Sequence, residues 1–208
     1  MKINGLYLEE KKPDSVVGGC IEIFEKAWPV DPRHTIDVIE RECLNTNSGV
    51  SWTRAGTVGA GAYQDARTNL MMDLTYASDI AQNPIIRAVH NMYYSLILAA
   101  SNSYVKRYDV QEPLFHEGYQ LLKYNGGQEY HTHYDGSTKM GRCLSAICYL
   151  NNDYVGGEIE FVNFGVKIKP EPGMLIIFPS NYAYAHKAHP VISGTKYAIV
   201  TWIRDRTV

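Results

Sequence analysis

The chain lacks the features that would set it apart from ordinary globular proteins. Its longest apolar run, Met92 to Ala100, is bounded by Asn91 and Ser101 and is too short to span a bilayer, so no membrane partner is expected. Cysteine is scarce. Cys20, Cys43, Cys143 and Cys148 have neither CxxC spacing nor the density of a disulfide scaffold, and the opening MKINGLYLEEKKPDS has no apolar signal region. The expectation is therefore a reducing, cytoplasmic compartment. An excess of one charge is also missing: 20 Lys and Arg against 22 Asp and Glu leave a net charge of −2. A sequence-independent hold on nucleic acid needs a basic face to displace counterions, so no nucleic-acid partner is expected. Internal repeats, low-complexity tracts and charge blocks are absent too. What is present is an ordinary apolar content of 45% over 208 residues, enough for one domain, 1–208, with a real core.

The text changes character near Tyr108 to Pro113, from helical in 1–112 to strand-like in 113–208. Cys20, Ile23, Phe24 and Ala27 stand at helical spacing within Gly19 to Trp28, and Pro29 stops that segment. Asp31 with Pro32 is an N-cap and first-turn pair that opens a helix to about Leu44. Asn83 with Pro84 repeats the signal before a longer helix, with Ile85, Val89, Met92, Leu96 and Ala99 along one stripe. Asn45 to Ser78 reads as loop, with a strand near Asn69 to Leu74. From Glu117 onward come short β-like runs: Gly118 to Tyr124, Gln128 to Asp135, Cys143 to Leu150, Gly157 to Val162, Val166 to Lys169, Met174 to Phe178, Ala183 to Ala188 and Lys196 to Ile203. Turn residues such as Asn125-Gly126-Gly127 and Pro172-Gly173 separate them. The expected fold is α+β: a jelly roll of about eight strands closed over a pocket, with the N-terminal helices on one outer face.

His133 and Asp135 are two residues apart, so on a strand both side chains face the same side. A lone His-x-Asp carries little weight. His186 adds a second imidazole, in a segment that reads strand, turn, strand, and two imidazoles with one carboxylate leave three metal positions open, as in non-heme Fe(II) oxygenases. Lys196 follows His186 at an even separation, so adjacent antiparallel strands would bring both into one cavity. There its ammonium would offset the far carboxylate of an iron-chelating α-keto acid, which is costly to bury unpaired; a surface lysine after a turn is the plainer alternative. Arg204, the competing cation, is expected to be exposed near the chain end. His131 shares the parity of His133 and raises a cupin site, but that site needs a glutamate where this chain has Ser137 and Thr138. His131 is read as a rim residue, and His189, His116, His90 and His34 as structural or surface histidines.

The stretches YNGGQEYHTHYD, GRCLSAICYLN, GGEIEF, KPEPGMLIIFP and HKAHPVISGTKYAIVTW, in that order, resemble the Fe(II)- and 2-oxoglutarate-dependent dioxygenases, and most of all the prolyl 4-hydroxylase group. The resemblance covers roughly Tyr119 to Asp205 and implies a double-stranded β-helix. It also implies that His133, Asp135 and His186 hold Fe(II), that Lys196 pairs with 2-oxoglutarate, and that Tyr124 and Tyr149 line the co-substrate pocket. Arg142 and Trp202 align with positions near the substrate. Core packing would equally explain both tyrosines and the tryptophan, and an exposed surface position the arginine.

The resemblance further implies a hydroxylase that uses Fe(II), 2-oxoglutarate and O2, with ascorbate as a candidate reductant, and a peptide or protein substrate with proline favoured. Two departures bear on the substrate. Ile159 stands where family members often carry threonine, and the link from Asp135 to Arg142 is short where peptide-binding members commonly have a longer mobile segment. A free amino acid or small metabolite is the alternative substrate, and a metal- or sugar-binding jelly roll without turnover is the alternative class. A zinc hydrolase would need a general base, for which Glu129 is the one candidate near the motif.

Overall fold

The computed structural model describes residues 2–3, 6–7, 11–56, 66–75, 83–110, 114–136 and 141–205. The strands are β1 (Lys2–Ile3), β2 (Leu6–Tyr7), β3 (Ser15–Val17), β4 (Ile21–Phe24), β5 (Thr53–Arg54), β6 (Leu70–Asp73), β7 (Leu114–His116), β8 (Gln120–Tyr124), β9 (Tyr130–His133), β10 (Arg142–Tyr149), β11 (Val155–Gly156), β12 (Ile159–Phe161), β13 (Val166–Ile168), β14 (Leu175–Pro179), β15 (His186–Ala188), β16 (Val191–Ser193) and β17 (Lys196–Asp205). Two helices, α1 (Pro32–Leu44) and α2 (Pro84–Arg107), are described with them.

Two sheets face each other as a jelly roll. The larger runs β3-β4-β14-β10-β17-β8-β6-β5, with β7 paired to β17, and the smaller runs β13-β12-β15-β9. Strand alternation gives the larger sheet two buried faces. Leu144, Ala146 and Cys148 of β10, Leu175 and Ile177 of β14, and Ile199 of β17 pack in one cluster with Ile36 and Ile39 of α1 and Val89, Tyr93 and Ile97 of α2. The intervening Tyr149, Ile176, Phe178 and Ala198 turn the other way and pack against Ile159 and Phe161 of the smaller sheet. The helices thus cover one outer face, and the functional interior lies on the opposite side of the same strands.

The helix starts are capped as their sequences predict. Asp31 accepts from the Arg33 N–H at 2.9 Å, and Asn83 accepts from Ile85 and Ile86 at 3.0 and 3.1 Å. Within α2, Tyr93 is wholly buried and its hydroxyl donates to the Ala146 and Ile199 carbonyls at 3.0 and 2.9 Å, pinning the helix to the sheet.

Three expectations change. Gly19 to Trp28 is not a helix: its core is β4, with all four residues buried because β4 pairs with β3 and β14 and is covered on both faces. The buried stripe of α2 is rotated from the expected one and runs through Ile86, Val89, Tyr93, Leu96, Ile97, Ala100 and Tyr104, while Ile85, Met92 and Ala99 flank it half-buried. The N-terminal half also supplies strands β3 to β6 to the larger sheet, so it is more than helical support. The changeover itself, at residues 111–113, lies outside the described residues, as do Ser137, Thr138 and most of the link from Asp135 to Arg142.

Candidate metal centre and co-substrate pocket

His133 is the last residue of β9 and pairs in register with His186, the first residue of β15. Asp135 lies just beyond β9, where the Gly136 N–H donates to the Ser180 carbonyl at 2.7 Å. The three side chains converge: His133 Nε2 is 3.5 Å from Asp135 Oδ1, His186 Nε2 is 3.6 Å from Asp135 Oδ2, and one donor atom from each residue falls within 4.8 Å of the others. Each imidazole is oriented by its other nitrogen. Nδ1 of His133 lies 2.8 Å from the His131 carbonyl and Nδ1 of His186 lies 3.0 Å from the Tyr184 carbonyl. A carbonyl only accepts, so both Nδ1 atoms carry a proton and both Nε2 atoms face the carboxylate.

The electrostatics suit a cation there. Burial draws the His186 pKa down to about 4, outweighing the upward pull of Asp135, so the ring is neutral at pH 7. Burial alone would raise the pKa of Asp135, but His186, His133 and a 2.6 Å hydrogen bond donated by Ser145 outweigh it and hold the carboxyl well below its usual range. Two imidazoles and one ionised carboxylate form a donor set for a divalent transition metal. His131 turns its own ring outward, more than half exposed and 3.4 Å from Glu129, so neither residue enters the site through its side chain.

Lys196 opens β17 opposite Tyr124 of β8 and is buried. Its ammonium donates to the Gly157 carbonyl at 2.6 Å and sits over the rings of Tyr124 and Tyr149, 5.2 and 5.1 Å from their centroids. Burial pushes its pKa down to about 7, with Glu158 pulling the other way. Lys196, Tyr124 and Tyr149 line the same cavity as His133, Asp135 and His186. The expected route to this arrangement was incorrect, because β15 pairs with β9 and β12 whereas β17 pairs with β8 and β10. His186 and Lys196 face each other from opposite sheets and are not cross-strand neighbours.

Arg142 and Trp202 form the outer wall. The Arg142 guanidinium stacks over the Trp202 ring at 3.9 Å, donates to Glu117 through Nε (3.0 and 3.1 Å) and Nη2 (2.7 Å), and reaches the Asp135 carbonyl from Nη1 at 3.4 Å. It is not an exposed arginine. The Trp202 indole N–H is buried with no hydrogen-bond partner among the described residues. Arg204 is partly exposed, 3.4 Å from Glu117. Ile159, where threonine was the alternative, is buried in the wall of the inner cavity.

Residues 119–204 match the 2OG-Fe(II) oxygenase superfamily. Prolyl 4-hydroxylase 13 of Arabidopsis thaliana is 30% identical over 122 residues, covering 45% of this chain and 44% of that protein. A PKHD-type hydroxylase of Janthinobacterium is 26% identical over 199 residues, covering 88% of this chain and 76% of the relative. Among solved structures, the prolyl hydroxylase of Trichoplax adhaerens in complex with a hypoxia inducible factor oxygen degradation domain peptide fragment superposes with a TM-score of 0.68 at 21% identity, covering 89% of this chain and 84% of that one. The chain spans about half the length of several curated relatives it matches, 46% and 44% for two of them.

The site also contains residues that the motifs do not single out. Ser145 bonds Asp135 Oδ2 and lies 2.8 Å from the Ser180 hydroxyl. Strand parity with Tyr149 could have found Ser145, since both lie on the inward face of β10. Tyr130 stacks on the His133 ring at 3.6 Å, and Arg67, Gln120 and Glu117 approach from the segment before β6, from β8 and from the loop between β7 and β8. Nothing local in the sequence marks these residues, because cross-strand register brings them together.

Proposed function

We propose that the protein is a hydroxylase in which His133, Asp135 and His186 hold Fe(II) and Lys196 holds the far carboxylate of 2-oxoglutarate. The single observation that carries this reading is Lys196: it is 2% exposed, its ammonium donates to one backbone carbonyl, and it shares a cavity with a three-donor metal set. A buried ammonium with no carboxylate against it calls for an anionic ligand. A jelly roll that merely bound a metal or a sugar would have no use for it.

The residues divide the work. When bound, Fe(II) and 2-oxoglutarate supply O2 activation coupled to decarboxylation of the co-substrate to succinate and CO2, with C–H hydroxylation of the prime substrate. Asp135 neutralises part of the dication, and Ser145 with the Tyr184 and His131 carbonyls fixes the ligand geometry. Tyr124 and Tyr149 cover the ammonium with aromatic faces and exclude water from the co-substrate carboxylate. Arg142, clamped by Glu117, and Trp202 line the outer cavity on the substrate side.

The reading for substrate is a prolyl residue of a peptide or protein, supported by the prolyl 4-hydroxylase relatives and the peptide-bound prolyl hydroxylase that shares the fold. One domain carries the activity, in the cytoplasm, with ascorbate as the reductant of spent iron. The test is a prolyl-peptide library incubated with the protein, Fe(II), 2-oxoglutarate and O2. The expected result is one succinate formed per added oxygen atom in the peptide mass; modification of non-prolyl residues alone would reject the proline assignment.

A further inference from the structure

Arg67 is a buried cation that the iron and 2-oxoglutarate reading leaves unused. It is 6% exposed and lines both the inner cavity of His133, Asp135, His186 and Lys196 and the outer one bounded by Tyr134, Arg142 and Trp202. It therefore stands where the two meet. Its placement is firm: Arg67 bridges to Tyr130, the Thr68 N–H bonds the Glu129 carbonyl at 3.2 Å, and the Ala66 carbonyl accepts from the His131 N–H at 2.8 Å. The guanidinium lies 5.1 Å from the Tyr130 ring centre, and that ring stacks on His133 at 3.6 Å.

The hydrogen-bond partners of Arg67 among the described residues are all neutral. Nε donates to Asn69 Oδ1 at 3.1 Å, Nη1 to the Gly56 carbonyl at 3.3 Å and Nη2 to Gln120 Oε1 at 3.4 Å. A guanidinium has five N–H donors, so these bonds leave two without a partner among the described residues. Every other charge in the cavity has a counterpart in the proposed complex. Asp135 and the near carboxylate of 2-oxoglutarate offset Fe(II), Lys196 takes the far carboxylate, and Glu117 holds Arg142 bidentately. Among the described residues of the cavity, Arg67 is the cation with none. A buried charge matched only by neutral acceptors is costly, and the planar fork of arginine suits a carboxylate.

Resting on the hydroxylase reading above, we propose that Arg67 binds the α-carboxylate of the substrate, so that the prolyl unit attacked is one whose own carboxylate is free. An internal peptidyl residue has only a neutral carbonyl at that position. A carboxy-terminal residue and a free amino acid both carry the required group. The contact orients the substrate and adds no covalent step to the hydroxylation.

The test is calorimetric binding to the wild-type protein loaded with Fe(II) and 2-oxoglutarate under nitrogen. The probes are acetyl-glycyl-proline as the acid, the same peptide as the amide, and L-proline. The acid should bind at least about tenfold more tightly than the amide, the effect of one charge-assisted bidentate contact. Whichever of the dipeptide acid and L-proline binds more tightly identifies the source of the carboxylate. Gln120→Glu supplies Arg67 with an internal counterion and should erase the preference for acid over amide, and it keeps the guanidinium, so it does not depend on an arginine deletion that folds. Equal affinities for acid and amide, or an undiminished preference in Gln120→Glu, would overturn the assignment. So would binding of none of the probes by a protein that still forms succinate from 2-oxoglutarate, whereas a protein that forms no succinate overturns the hydroxylase reading beneath it as well.

Discussion

Lys196 shows how one residue can set a pH dependence. Its pKa near 7 comes from burial, so between about pH 7 and the ordinary lysine value of 10.5 the unfolded chain holds a proton that the ligand-free folded protein does not. The unfolded state binds more protons in that window, so stability of the ligand-free protein rises with pH there and levels off above it. Binding a dianion restores the proton. 2-Oxoglutarate should therefore bind with uptake of about one proton at pH 8, measured by calorimetry in buffers of different ionisation heats; affinity independent of pH from 6 to 9 would count against it. Lys196→Ala removes the partner of a desolvated carboxylate and should raise the apparent KM for 2-oxoglutarate by about thirtyfold or more, a cost of about 2 kcal/mol. The lysine, both histidines and Asp135 are legible in the sequence from their spacing on strands, whereas Tyr124 and Tyr149 enter only through the family resemblance. Arg67 and Glu117 are not, since an isolated arginine or glutamate in a loop-rich stretch looks the same whether it faces solvent or a pocket.

At the level of elements, the metal side of the site depends on how closely two backbones approach. A Cβ added to Gly136 would lie 2.8 Å from the Arg142 carbonyl oxygen and 3.0 Å from that of Ser180, both backbone atoms that cannot swing aside. Gly136→Ala should destabilise the fold by about 1–3 kcal/mol in urea denaturation and weaken metal binding, because the loop carrying Asp135 must move. A variant with unchanged stability and metal affinity would show the loop to be compliant. The strands of the second half are readable to within a few residues because turn glycines and alternating burial agree. The segment containing β4 misleads for a definite reason: four residues buried on both faces of a sheet lose the period of two, and Cys20, Ile23, Phe24 and Ala27 then imitate a helix. The rotated stripe of α2 has a similar origin, since Tyr93 and Tyr104 bury their rings and spend their hydroxyls on backbone carbonyls, which hydrophobicity alone does not anticipate.

For the whole molecule, the metal set ties the two sheets together. His133 and His186 belong to the smaller sheet, while Ser145, which holds Asp135, belongs to the larger one. A bound divalent ion should therefore stabilise the fold as a unit. With free Mn(II) at a hundred times its Kd, linkage gives about 2.7 kcal/mol, or a rise in Tm of about 5–10 °C for a chain of this size. Asp135→Ala should abolish that rise, and an equal shift in the variant would place the ion elsewhere. The pairing of opposite sheets around one cavity was only partly foreseeable. Parity fixes which side of a strand a residue faces, but strand order decides whether two inward residues sit side by side or across the interior, and that order places Lys196 across from His186. The measurement that bears most directly on the central claim is succinate formation from 2-oxoglutarate by the Fe(II)-loaded protein in air, for wild type and Asp135→Ala in parallel. The wild type should release succinate slowly even without prime substrate and the variant none above background; equal release by both would contradict the site.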